Sequence, residues 1–583
     1  MRVLFLHPED VPWQGKWAEQ RWDLIVDLGF ASRHTYKEWN GKLSTRTLSI
    51  HEFAGQMDGY RWVNQIFERG RRRLLDRIGL DWWEILAMES YQDLHGCYLF
   101  RALRVEIATD QIELAASRPH RLARIAEQAF SRPVRYFENG DEGLLRRVTR
   151  ALRSARNLRR EQIAEIALDK WDADYELRRR WTKHNAARLA EPAVLLPSAY
   201  SNVTRSVLAY AAQLPNRKFL LVTTRRSAVP VRPQENVTVS SLAAYVRPTE
   251  AIEEEAVRLK QAWQVFLQAM MAECQEFRSA AKAGVWDYFP LHLERGIILR
   301  EAWKQVLDSE PVTGVLCGDD LNYHTRLPLM LAQGRGLNAV YCSHGALDGG
   351  FLFKVPVADS FLVKGEMESD YLQRIAAIRP AQIAVAAPAA SNSSTGSDQH
   401  RDAVVFFSQP YEVVGGRTDS IYRELLPRLC SVARSSGRRV VVKLHPFESR
   451  RARQLLVNSI LPREVRDTVE IVDGMPPEEV MARAWCGLTA DSSVAVECAL
   501  REIPFFLCGW LDFMGMGYLQ QFARFGVAQV LNSPEEIEQI PAMIAGYQFA
   551  PATLDRLWRE ADPAQLDEIM FRTRQTRLAP CAC

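Results

Sequence analysis

The stretch VVVKLHPFES, residues 440–449, ends an apolar run in a histidine locked to a proline. Val440, Val441, Val442 and Leu444 read as a strand buried on both faces. His445 and Pro446 fall where it stops, and the ends of strands are where ligands of open α/β sheets bind. An imidazole there donates to a phosphate oxygen, and the proline restricts the backbone. The plainer reading is a histidine satisfied within its own turn. Three more polar loops follow apolar strands. Ser408-Gln409-Pro410 follows Val404–Phe407, Asp473-Gly474 follows Val469–Val472, and Thr489-Ala490-Asp491-Ser492-Ser493 follows Cys486–Leu488. If the strands are parallel, all four loops open on one edge. Val494–Leu500 reads as a helix with Ser492 and Ser493 at its start, where hydroxyls and unpaired backbone N–H groups make an anion site. Glu497, one turn in, is placed to accept from ribose hydroxyls. Together these residues spell a nucleotide phosphate site. No GxxxxGK[ST] is present, and no GxGxxG follows a strand, which argues against a P-loop ATPase and a dinucleotide dehydrogenase.

A second polar concentration lies at 312–350. The strand Val312–Cys317 ends in Gly318-Asp319-Asp320, a helix carrying Arg326 follows, and the strand Ala339–Cys342 leads into Ser343-His344-Gly345. Two loops on one edge thus present carboxylates and a histidine. Their plain readings are helix-capping aspartates and a turn histidine. Asp319 and Asp320 are adjacent, unlike the spaced DxD pair that holds Mg²⁺, so no metal site is expected.

These loops need elements to hold them. With 583 residues, the chain has room for two to four domains, and 47% hydrophobic and 25% charged residues are ordinary for a globular protein. A net charge of +3 gives no global case for nucleic acid. The arginines at 69–73 and 146–160 lack the interleaved aromatics of a nucleic-acid groove. The ten cysteines are scattered, with only a CxC at Cys581–Cys583, which favours a reduced, cytoplasmic setting without a structural metal. MRVLFLHPEDV is not expected to be a signal peptide, and no run approaches the ~20 apolar residues of a membrane span.

Strand candidates are Val3–Leu6, the weaker Leu24–Val26 and Glu84–Leu86, then Val194–Leu196, Phe219–Thr223, Val237–Ser240, Val312–Cys317, Ala339–Cys342, Ser360–Val363 and Ile383–Val385. Amphipathic stretches such as Ala251–Ala281 lie among them. After Ala386–Gln399, small and polar, the pattern restarts with Val404–Phe407, the helix Ser420–Ser435, Val440–Leu444, Val469–Val472, Cys486–Thr489 and Phe505–Leu507. The expectation is two Rossmann-like, doubly wound parallel sheets with a cleft between them. The first domain spans 1–385 with helical insertions, 386–400 is a linker, 401–545 is the second domain and 546–583 a helical tail. No internal sequence repeat is evident. LLRRVTRALRSARNLRREQI, 144–163, places seven arginines around a helical apolar stripe. A solvated face is the favoured reading, and contact with an anionic inner-membrane surface is the alternative.

The order QP, HP, strand, then TADSSVAVECALREIPFF resembles the donor half of a GT-B glycosyltransferase. It is most similar to the bacterial capsule polysaccharide group, the Kdo (3-deoxy-manno-octulosonate) transferases with their QP and HP motifs. Sialyltransferases and CDP-glycerol polymerases share the HP–SS logic. The match covers roughly residues 312–510. The resemblance implies that His445, Ser492 and Ser493, with Gln409, Pro446 and Glu497 beside them, hold the phosphate of a CMP- or CDP-linked sugar donor. Transfer to a glycan or glycolipid acceptor then needs a base for the acceptor's hydroxyl proton. The polymerase pattern favours His344, and the sialyl and Kdo pattern favours Asp319 or Asp320; the sequence leaves this open. Arg326 pairs with a carboxylate or with an anionic sugar acid. No cofactor and no metal is expected, since His445 and the serine-bearing helix start can stabilise the leaving phosphate. The alternatives are a nucleotide-sugar 2-epimerase, a CDP-glycerol-type polyol-phosphate transferase and a non-catalytic scaffold of polysaccharide assembly.

Overall fold

The computed structural model describes residues 1–109, 111–137, 186–225, 228–230, 232–247, 249–345, 347–352, 354–389, 401–474, 477–512, 515–548 and 551–571. The basic stretch 144–163 and the core of the proposed linker, 390–400, lie outside these.

The chain forms three parallel sheets. The first holds β1 (Arg2–Leu6), β2 (Leu24–Asp27), β3 (Arg46–Ser49), β4 (Glu113–Ala116) and β5 (Val134–Tyr136), in the order β3-β2-β1-β4-β5. The second holds β6 (Ala193–Ser198), β7 (Lys218–Thr223), β8 (Val237–Ser241), β9 (Val312–Cys317), β10 (Asn338–Cys342), β11 (Ser360–Val363) and β12 (Ile383–Val385), in the order β12-β11-β10-β9-β6-β7-β8. The third holds β13 (Ala403–Phe407), β14 (Arg439–Lys443), β15 (Val469–Val472), β16 (Ala484–Thr489), β17 (Phe505–Cys508) and β18 (Gln529–Leu531), in the order β15-β14-β13-β16-β17-β18. Each order is that of the Rossmann fold: the chain winds outward from a central strand, then reverses to the other side. The two doubly wound sheets expected from sequence are the second and third. The first sheet was not foreseen as a sheet of its own.

These strands form because they are apolar on both faces. All five residues of β13 are buried, and its register pairs Val404 with Val440 and Phe406 with Val442. Such runs suit parallel sheets covered by helices on both sides. The helix Thr418–Ser435 covers the third sheet with Ile421, Leu425 and Leu429, spaced four apart on one face. Burying each leucine contributes roughly 1.5–3 kcal/mol. In the second sheet, Gly318 packs closely: a Cβ there would lie 3.1 Å from a Val203 methyl carbon, which would have to shift by a few tenths of an ångström.

Two compact units emerge, and each is discontinuous in sequence. Unit 1 comprises residues 1–60, 93–163 and 392–554, and unit 2 comprises 61–92, 164–391 and 555–583. The single N-terminal domain expected over 1–385 therefore divides: its first sheet groups with the third sheet, not with the second. Within unit 1 a buried ion pair joins the first and third sheets. Arg417, from the loop after β13, grips Asp27 at the end of β2 with both forks, at 2.5 and 2.7 Å. It also donates to the carbonyls of His7 and Asp10. Both ionised side chains are essentially inaccessible.

Three other boundaries differ. Glu84–Leu86 belongs to a helix, Trp82–Leu86, whose start is held by Asp81 accepting from the Trp83 amide. Ala251–Ala281 is two helices, Glu250–Glu273 and Gln275–Lys282, separated at Cys274. The proposed tail, 546–583, is divided between the units at 554/555, and its later part packs on the second sheet: Leu566 and Met570 are buried in that core, and Asn338 donates to the carbonyl of Ile569. Ala386 and Ala387, assigned to the linker, are fully buried. No helix among the described residues is long and apolar enough to cross a membrane.

Candidate functional site

In the third sheet the strand order reverses between β13 and β16. Gln409 follows β13 and Asp491, Ser492 and Ser493 follow β16, so the two loops flank the switch point where ligands of such sheets bind. His445 and Pro446 follow β14, on the other side of β13. Two strand spacings, roughly 10 Å, separate the origins of the His445 and serine loops. The structure thus brings the predicted residues to one edge of one sheet.

His445 is half-buried and its Nδ1 accepts from the Phe447 amide at 3.2 Å. The neutral ring must then carry its proton on Nε2. Burial, followed by the charge of Lys443, lowers its pKa to about 4, so at neutral pH it is an uncharged donor. The loop is pinned by Glu448, a residue with no role in the sequence-based expectation. One Glu448 oxygen accepts from the His445 amide at 2.8 Å; the other accepts from Ser408 Oγ at 2.8 Å and Arg453 Nε at 2.7 Å. Pro446 is exposed at the turn.

Ser492 Oγ accepts from the Val494 amide at 3.4 Å, while Ser493 opens the helix with no side-chain capping bond. That helix is Val494–Ala499, six residues rather than the seven expected, so its dipole adds little to the hydroxyls at its start. Glu497 is the half-exposed residue of a helix whose other five are buried.

Asp491 sits in the serine-bearing run, yet its residue type alone assigned it no role. The Gln409 side chain donates to it, but burial and the nearby Asp512 raise its pKa to about 6. Asp512 is itself raised by burial. Tyr60 lies close enough to be pushed up by burial and then by both carboxylates. A carboxyl that exchanges protons near neutrality therefore adjoins the serine pair.

In the second sheet the order reverses between β6 and β9. Asp319 follows β9 at that switch point, and His344 follows β10 one strand away. Asp319 is buried and both its oxygens are engaged, by the Leu321 amide at 2.9 Å and the Asn322 amide group at 2.7 Å. Burial raises its pKa, with the nearby His344 opposing. Asp320 is taken up by the buried Lys354 at 2.5 Å and by Arg326 at 3.3 Å. Arg326 also holds Glu84 at 3.0 Å and the Val355 carbonyl at 2.8 Å. The expectations of Asp320 as base and Arg326 as sugar-acid ligand give way to this network: both side chains are buried and committed to internal partners.

His344 differs. It is exposed, and its Nδ1 lies 3.0 Å from the Gly318 carbonyl. A carbonyl only accepts, so Nδ1 carries the proton and the neutral ring keeps its lone pair on Nε2. Lys364, another residue that the sequence pattern does not mark, clamps this loop by donating to the carbonyls of Ser343 at 3.0 Å and Gly345 at 2.6 Å. His445 and His344 thus adopt opposite tautomers, one a donor and one an acceptor.

Unit 1 concentrates depressed histidines. Burial is the first cause at His7, His51, His120 and His445, all near 4, and at His95, near 3. Each binds fewer protons folded than unfolded below the usual 6.5, so stability present above that value is lost as pH falls. Asp93 and Asp491, raised to about 6, oppose this only as pH falls through 6. Unit 1 should accordingly lose stability between pH 7 and pH 6. A urea midpoint unchanged across that interval would contradict the burial of these rings.

No family model matches the sequence. No curated protein matches it. Among solved structures, a UDP-GlcNAc 2-epimerase from Methanocaldococcus jannaschii in complex with UDP-GlcNAc and UDP is similar at 10% identity, covering 65% of this chain and 98% of that one, with a TM-score of 0.40. A calicheamicin glycosyltransferase is similar at 13% identity, covering 67% and 100%, with a TM-score of 0.39. A wall teichoic acid polymerase is similar at 9% identity, covering 72% and 96%, with a TM-score of 0.35. At these scores the likenesses assign no activity, and the reading of function rests on the residues.

Proposed function

We propose that this chain is a GT-B-type glycosyltransferase that takes a sugar from a nucleotide donor, CMP- or CDP-linked, and passes it to a hydroxyl of a glycan or glycolipid. The observation that carries this reading is the edge of the third sheet, where Ser492 and Ser493 follow β16 at the switch point and His445, with its proton on Nε2, follows β14 on the far side of β13. In the transfer, the bond from the anomeric carbon to the donor's phosphate oxygen breaks. Negative charge gathers on that phosphate, and the three groups donate to it. A bond forms from the acceptor oxygen to the anomeric carbon, and the hydroxyl's proton goes to His344 Nε2. Glu497 takes the ribose hydroxyls.

The test is a thermal-shift comparison of CMP, CDP, UDP and GDP on the wild-type chain and on His445→Ala. A nucleotide that binds only the folded chain raises its melting temperature. One nucleotide should stabilise the wild type, and His445→Ala should weaken that binding by about tenfold or more, the worth of one hydrogen bond to a charged group. Equal stabilisation of both proteins would remove the phosphate from this edge.

A second reading is favoured by Asp491 alone. A carboxyl near pKa 6 beside the phosphate grips suits proton exchange at a sugar carbon, the chemistry of a nucleotide-sugar 2-epimerase. Incubation of UDP-sugars in D₂O without an acceptor separates the two. Deuterium at C2, lost in Asp491→Asn, belongs to epimerisation; no incorporation leaves transfer.

A further inference from the structure

The first sheet carries another histidine–proline turn, which the proposed transfer does not use. β1 runs into Leu6-His7-Pro8 as β14 runs into Leu444-His445-Pro446. The turns share an internal hydrogen bond: the Glu9 amide donates to His7 Nδ1 at 3.1 Å, as the Phe447 amide donates to His445 Nδ1 at 3.2 Å. The neutral His7 ring therefore also carries its proton on Nε2. The first sheet's order reverses between β1 and β4, so His7 stands at the switch point of this sheet. β4 supplies the other side. Ser117 Oγ accepts from the His7 amide at 2.9 Å, and three residues on, His120 faces His7 with ring centroids 5.1 Å apart. His120 likewise spends Nδ1, on the Leu122 amide at 3.2 Å, and keeps Nε2–H.

The chemistry of this pair is narrow. A metal bound at Nε2 would move each ring proton to Nδ1, against the Glu9 and Leu122 amides, so coordination fits poorly. The charged neighbours are already matched. Arg118 pairs with Asp10 and Glu9, and Arg417 pairs with Asp27 while holding the carbonyls of His7 and Asp10 in place. Two N–H donors remain, fixed on adjoining loops of one rim. Burial keeps both rings uncharged at neutral pH. Two N–H donors on rings with centroids 5.1 Å apart suit an oxyanion, whose several oxygens can accept from both. We propose that His7 and His120 bind a phosphoryl group at the switch point of the first sheet, a ligand site separate from the His445 edge.

The test follows the imidazole nitrogens of the full-length chain, labelled with ¹⁵N-histidine, while inorganic phosphate or CMP is added at constant ionic strength. His7→Gln and His120→Gln assign the two signals, and His445 is read separately, so the result stands whatever happens at the third sheet. The Nε2 signals of His7 and His120 should shift together and saturate, and each substitution should weaken binding by about tenfold. Tighter binding of CMP than of phosphate points to the phosphoryl group of a larger ligand; equal binding points to phosphate itself. Signals that stay still, or that move as they do with chloride, overturn the proposal. If a substituted chain fails to fold, the wild-type titration decides alone.

Discussion

If the proposed transfer holds, His344→Gln is expected to lower its turnover by about 10²–10⁴-fold, the usual contribution of a positioned general base. The nucleotide that stabilises the wild type binds this variant equally well. The tautomer of the ring is the cause. The Gly318 carbonyl draws the ring proton to Nδ1, so the neutral ring keeps its lone pair on Nε2, and Lys364 fixes the backbone on both sides of the ring. Glutamine keeps the size and polarity but cannot accept a proton at neutral pH. Single-turnover rates with saturating donor measure the chemical step directly. The loss should appear in kcat and leave donor affinity untouched, because the base touches the acceptor. Turnover within about threefold of wild type, well short of the loss expected for a base, would remove His344 from the reaction and return the question to Asp319 or Asp491.

Arg417→Met destabilises unit 1 by about 3–5 kcal/mol, the cost of stranding a buried charge. Asp27 is fully buried and would keep only the Tyr36 hydroxyl and the Gly29 amide as partners. The discriminating measurement is the double variant Arg417→Met with Asp27→Leu. Replacing both members of a buried pair by apolar groups is often close to neutral, so the double variant should recover most of the loss. Urea denaturation followed by tryptophan fluorescence reports it. A single variant that costs less than about 1 kcal/mol would mean that water already reaches this pair.

The sequence carried the parts of this fold that are written in local pattern. β9, β10, β13 and β14 each centre on apolar residues, and their boundaries were legible to within a residue. β4 reads ELAA and β5 reads VRY. β4 holds no β-branched or aromatic residue and β5 is only three residues long, so the first sheet went unseen as a sheet. Glu84–Leu86 looked apolar enough for a strand, but the Asp81 carboxylate caps a helix there. Among the candidate residues, His445, the serines and His344 stood out because histidine and serine at strand ends are conspicuous. Glu448, Lys364 and Asp491 were not, since their roles come from partners on other strands. The division between Asp319, Asp320 and His344 could not be read either. Asp320 is removed from contention by Lys354, thirty-four residues away, and a tautomer depends on which carbonyl or amide the fold sets beside the ring.

The Asp27–Arg417 pair spans 390 positions of the chain. A ribosome adding roughly 5–20 residues each second needs on the order of 20–80 s to cover that span. Throughout this interval the emerging first sheet holds a carboxylate whose counter-ion has not been made, and the carbonyls of His7 and Asp10 lack their donor. Synthesis of this protein therefore includes a long wait with an unfinished amino-terminal half, a natural client for chaperones. Truncations that stop before residue 417 should yield chains that aggregate or are degraded.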